Sequence, residues 1–150
     1  MLTPLPTLAQ FIPTLQTAIG PVILISGVGL LLLTMTNRLG RVIDRARVLA
    51  AELPTKGDDS LEKVSAQLII LWKRARLIRL AITLAATSAL AASLLIITLF
   101  FTALFQVESV WLVGIIFILC LFSLIGSLVV FIHDINQSLA ALKLELEGRI

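Results

Sequence analysis

The sequence predicts an all-α membrane protein, with three transmembrane helices extended into the cytoplasm as amphipathic helices. Two observations predict it. The 150-residue chain is 59% hydrophobic and only 14% charged, against about 25% charged for an ordinary soluble domain. Its mean hydropathy is +1.07, and three uncharged runs exceed the roughly 18 residues at which a spanning helix is inferred.

The first run, 1–37, contains no charged residue. Its opening carries Pro4, Pro6 and Pro13, which a continuous helix tolerates poorly. Leu8, Phe11, Ile12 and Leu15 still recur at helical spacing, so 1–17 is expected to form an outer interfacial segment. The span proper is 18–37, with Pro21 in its first turn or at a kink after Gly20. The second run, 80–107, would be about 42 Å long as a helix against a hydrocarbon core of about 30 Å. It carries span 2 over 80–105. A short turn at 106–110, containing "QVES", leads to span 3 over 111–133, so spans 2 and 3 form a tight antiparallel hairpin.

The stretch "TNRLGRVIDRAR" then breaks the uncharged pattern abruptly. All 12 lysines and arginines lie in 38–79 or 143–149, while Glu108 is the lone acid in the 106–110 turn. The positive-inside rule places the N-terminus outside and the charged segments, 38–79 and 134–150, in the cytoplasm of a bacterial plasma membrane. Net charge is +3 and the isoelectric point about 9.6. In this context the basic residues read as topological and lipid-facing, not as a nucleic-acid surface. With no positive n-region and a first apolar run that leads into a continuing helical pattern, a secretory signal peptide is not expected, and the mature protein is expected to begin near Met1.

Each span continues as an amphipathic helix. Leu39, Val42, Ile43, Ala46, Leu49, Ala50 and Leu53 form one apolar stripe, which Pro54 ends. After "TKGDDS", Asp59 or Ser60 can cap a second helix striped by Leu61, Val64, Leu68, Leu71, Ala75 and Ile78. Ile135, Leu139, Leu142 and Leu146 repeat the pattern in the tail. Such helices bury a narrow seam and not a large core, so self-association is expected.

Functional candidates are few. Arg38, Arg41 and Arg45 share a helix face and could ring an axis as an anion-attracting collar, or face phospholipid. Lys73, Arg74, Arg76 and Arg79 form a matching lipid-facing set that can snorkel to phosphates. Asp44 can pair with Arg41 or Arg47. Ala81, Ala85, Ala89 and Ser93 make a small-xxx-small ridge suited to close helix packing, and Ser26, Gly27 and Gly29 could pack similarly on the first span. Thr83, Thr87, Thr98 and Thr102 are expected to bond back to their own helix. Cys120 reads as a buried packing thiol. His133-Asp134 closes span 3 as an interfacial polar cap, or as a pair titrating near neutrality. Trp72 and Trp111 suit the two interfaces.

No catalytic constellation, metal-ligand cluster or phosphate-binding glycine loop is present, so no enzyme activity, metal or cofactor is expected. The leading expectation is a homo-oligomeric helical assembly, with an ion channel having a basic cytoplasmic vestibule as its fullest form. The alternative is an accessory or scaffold subunit of a larger membrane complex. A third reading is a sensor of anionic lipid on the cytoplasmic face.

With these residues in view, the chain resembles a family of small prokaryotic three-span integral membrane proteins of unknown function. The resemblance covers nearly the whole chain and is carried best by "TNRLGRVIDR", Thr36 to Arg45, with Met35 where leucine is expected. It implies the three-span architecture and a bacterial plasma membrane, and it implies no substrate, cofactor or catalytic residue.

Overall fold

The computed structural model describes residues 8–52, 58–106 and 110–147, with side chains described over 12–51, 61–62, 64–106 and 110–138. They form three helices: α1 Leu8–Glu52, α2 Asp58–Phe105 and α3 Val110–Glu147. At 1.5 Å per residue these are about 68, 72 and 57 Å long, far more than a hydrocarbon core of about 30 Å. Each contains a segment long and apolar enough to cross a membrane, within Ile12–Ala51, Val64–Phe105 and Val110–Ser138. The chain is therefore a multi-pass membrane protein.

α1 runs unbroken through Pro13 and Pro21, so from Leu8 onward there is no separate interfacial helix ahead of the span. In hydrocarbon an opened backbone has no water to satisfy it, which favours keeping the helix despite two missing N–H donors. The Thr17 hydroxyl donates to the Pro13 carbonyl at 2.9 Å, engaging one acceptor near the first proline. Pro4, Pro6, Pro54, Glu108 and the stripe residues Leu139, Leu142 and Leu146 lie outside the described side chains. α2 ends at Phe105, and Gln106 takes a left-handed φ of 51°. This conformation turns the chain out of the helix at the cost of Cβ crowding.

Two compact units divide the chain, each drawing on all three helices. The first comprises 1–31 and 85–124. Its buried residues are few and mostly small: Ala18, Val28, Ala85, Ser88, Ala92, Leu95, Ile116 and Cys120. Ile23, Leu30, Leu90, Phe122 and many other large apolar side chains remain exposed, as a lipid-facing surface requires. The Ser88 hydroxyl donates to the Cys120 carbonyl at 2.9 Å, and the Cys120 thiol donates to the Ser88 carbonyl at 3.3 Å. This reciprocal clasp ties α2 to α3 and confirms Cys120 as a buried packing thiol. Ser88→Ala is expected to cost about 1 kcal/mol. It should also raise the rate at which a maleimide labels Cys120 in detergent, and unchanged labelling would show that the clasp does not guard the thiol.

The second unit comprises 32–84 and 125–150. Val42, Leu71 and Ile78 form its core cluster, flanked by Leu39, Ala46, Leu49, Ala75 and Ile82. These are the apolar stripes of the first two predicted extensions, now packed against each other. The Ser127 hydroxyl donates to the Ala81 carbonyl at 2.7 Å, tying α3 to α2 here.

Buried positions recur every seven residues on every helix: Val28, Met35 and Val42 on α1; Val64, Leu71, Ile78, Ala85 and Ala92 on α2; Cys120, Ser127 and Asp134 on α3. A repeat of 3.5 residues per turn keeps a seam on one side of a helix. The predicted small-residue ridge follows this seam only at its start. Ala81 and Ala85 are fully buried, but the buried line continues through Ser88, Ala92 and Leu95, leaving Ala89 half-buried and Ser93 exposed. Steps of four advance about 40° around a helix each time, so Ser93 lies about 120° from Ala81. On α1, Ser26, Gly27 and Gly29 are likewise exposed while Val28 is buried.

The hydroxyls behave as expected where they are seen. Thr83 donates to the Arg79 carbonyl, Thr98 to Leu94 and Thr102 to Leu99.

Candidate functional site

The polar chemistry of the second unit gathers at the end of the α3 seam. Cys120 and Ser127 are small enough to place a polar atom between helices. The next position is Asp134, with 0% of its side chain exposed. A carboxylate so buried demands cations, and two arrive from the other helices. Arg38 lies three residues past the buried Met35 on α1, and Arg74 three residues past the buried Leu71 on α2. That offset is about 60° from the seam, close enough for a long side chain to lean inward.

Arg38 Nη2 lies 3.4 Å from Asp134 Oδ2, and Arg74 Nε lies 3.6 Å from Oδ1. The two arginine side chains are 23% and 25% exposed. Arg74 Nη2 also donates to Ser138 Oγ, and the Arg38 guanidinium lies 5.4 Å from the centroid of the Phe131 ring. Among the described residues neither carboxylate oxygen has a direct hydrogen-bond donor, nor does Arg74 Nε have an acceptor. The attraction is thus coulombic. At an effective dielectric near 20 each contact is worth about 5 kcal/mol before desolvation, and desolvation cancels most of this. Such a triad contributes little net stability and instead fixes which faces of three helices meet.

The arginines continue outward. Arg38, Arg41, Arg45 and Arg74 line an open cleft, with Val42 and Leu71 also in its wall. A second open groove is lined by Trp72, Lys73, Arg76, Leu77, Arg79, Leu80, Thr83 and Gln137. Arg76 lies 5.7 Å from the centroid of the Trp72 ring there. The predicted basic residues therefore fall into two sets. Arg74 joins the α1 arginines, away from Lys73, Arg76 and Arg79. At about 100° per residue those three point well off the Leu71–Ile78 seam while Arg74 stays beside it.

His133 is exposed, and Gln137 Nε2 donates to its Nε2 at 2.9 Å. The sequence joined His133 to Asp134 as one cap, yet the neighbours have different surroundings: one is solvated, the other enclosed. Asp44 pairs with Arg47 at 3.9 Å, both highly exposed, a contact worth tenths of a kcal/mol. The role of Asp134 was missed from sequence. The available signal was the seven-residue spacing from Cys120 through Ser127 to Asp134.

Comparison with known proteins adds a family and no more. A family profile described as "Protein of unknown function (DUF2721)" matches residues 18–144. No curated protein and no solved structure matches the chain. The matched stretch takes in the first apolar segment from residue 18 onward, the whole of the other two, both basic clefts and the buried Asp134, so the chain belongs to the DUF2721 family.

Proposed function

We propose that the protein is a non-enzymatic, homo-oligomeric helical assembly of the bacterial plasma membrane, with its N-terminus outside and its charged helical ends in the cytoplasm. Its arginine clefts make a basic vestibule that gathers anions at the inner face, and conduction of ions through the assembly is the fullest form of this function. One observation carries the reading. Beside the arginines, where the chain is rich in charge, Ile43, Val48, Ile69 and Ile70 stay exposed. Apolar side chains in such a place are the kind that further copies cover. The charge asymmetry of the sequence supports the orientation.

The test is the mass of the native particle from lipid nanodiscs, followed by conductance recording. A single integer multiple of the 16.3 kDa chain is expected. Charge reversal by Arg41→Glu and Arg45→Glu should shift ion preference away from anions. A monomeric mass would overturn the assembly, and tight membranes under voltage would overturn conduction.

One observation favours a second reading, an accessory subunit. Val42, Ala46, Ala50, Leu68, Leu71 and Ala75 contribute to an open groove in the second unit, which suits an apolar helix of a larger complex. Stoichiometric co-purification of another membrane polypeptide would support this reading over self-assembly.

A further inference from the structure

We infer that the cleft of Arg38, Arg41, Arg45 and Arg74 is a binding site for a phosphate group with two ionisable oxygens, either inorganic phosphate or a phosphomonoester headgroup. Asp134 is its positioning residue. The inference rests on the anion-gathering part of the reading above and not on the assembly, because every residue involved belongs to one unit of one chain.

Charge is the first argument. Four guanidinium groups line the cleft, and the carboxylate that meets two of them is Asp134. The nearby acid on α1, Asp44, is exposed, pairs weakly with Arg47 and is not part of the cleft lining. Arg38, Arg41 and Arg45 stand at spacings of three and four, where like charges repel along a helix. Among the described residues a surplus of three positive charges remains in the cleft, and a doubly charged anion relieves most of it.

Geometry is the second. A guanidinium presents planar paired donors that match phosphate oxygens two at a time. Arg38 is held by Asp134 on one side and by the Phe131 face. Arg74 is held by Asp134 and Ser138. Two of the four cations are therefore fixed before any ligand arrives, which lowers the ordering cost of binding. Arg41 and Arg45 are exposed and can close over the ligand.

The walls are the third. Apart from arginines, the cleft is lined by Val42 and Leu71, whose apolar surface lowers the local dielectric and strengthens charge interactions. Neither is aromatic, so a nucleotide base has no ring to stack on. Neither is a nucleophile or a general base. Such a cleft binds a phosphate group without turning it over.

The test compares two substitutions that remove the same charge two positions apart. Arg45→Gln alters the cleft; Arg47→Gln alters the exposed pair beside it. Inorganic phosphate is titrated calorimetrically into the full chain in phosphate-free detergent at constant ionic strength. In a second arm, the protein is placed in phosphatidylcholine nanodiscs with equal small fractions of phosphatidic acid and phosphatidylglycerol, and retained lipid is read by native mass spectrometry. Wild type should bind in at least one arm, Arg45→Gln should weaken binding about tenfold, and Arg47→Gln should change it by less than about twofold. Binding of inorganic phosphate alone identifies a soluble ligand. Preferential retention of phosphatidic acid alone identifies a lipid headgroup. Asp134→Asn adds a further readout: it raises the net positive charge yet should weaken binding, because two arginines lose their strut. Absence of binding in both arms, or equal weakening by the Arg45 and Arg47 variants, overturns the site. Either result leaves the particle mass unaffected, so the failure of this site and the failure of the assembly are distinguishable.

Discussion

Replacing Arg38 and Arg74 together by glutamine is expected to lower stability by about 3–5 kcal/mol, the range for stranding a buried charge. Asp134 has no exposed surface, so it cannot turn to water when its cations are removed. Asp134→Asn alone should cost less, about 1–2 kcal/mol. The two arginines are about a quarter exposed and can swing their heads out to water or lipid phosphates. Adding Asp134→Asn to the double arginine variant should therefore restore most of what that variant lost. Thermal unfolding of the four proteins in one detergent reads all of this. If the double variant melts no lower than Asp134→Asn, or if the triple variant shows no recovery, the triad is not a buried electrostatic contact.

Ala85→Leu should be the next most damaging change, and Ser93→Leu nearly silent. Ala85 is fully buried on the α2 seam, where added methylenes force neighbouring side chains off their rotamers or the helices apart, at about 1–3 kcal/mol. Ser93 is exposed, and its hydroxyl is satisfied by the Ala89 carbonyl at 3.0 Å, so a leucine there meets lipid. Melting temperature in detergent separates the two. Equal destabilisation would mean that the four-residue ridge, and not the seven-residue seam, is the packing face.

The contrast between these two positions shows what the sequence could convey. The three spans were legible because an uncharged run has few alternatives in water. The stripes through Val42, Leu71 and Ile78 were legible because apolar residues among charged ones declare a face. Within a span nearly every residue is apolar, so nothing in residue type marks the buried side. Small residues at steps of four gave a plausible line whose phase drifts away from the real one. The arginines posed a different difficulty. Their boundary role follows from charge alone, but which of Lys73, Arg74, Arg76 and Arg79 turns inward depends on an angular offset from a seam not yet located. Asp134 was hidden by its neighbour, since a histidine beside a carboxylate invites a pairing that the helix denies. The continuity of α1 through Pro13 and Pro21 was obscured because soluble-helix rules for proline were applied where no water competes for the backbone.

The three members of the triad lie far apart along the chain, and this sets an order of events during synthesis. Arg38 leaves the ribosome first and Arg74 second, while Asp134 follows only when α3 is nearly complete. Until then the growing chain holds two like charges on neighbouring helices, with only the apolar contact of Val42, Leu71 and Ile78 to draw them together. Arrival of the carboxylate converts that repulsion into attraction. A nascent chain stopped short of residue 134 would thus differ from a finished one by the sign of a force between α1 and α2 at the level of Arg38 and Arg74.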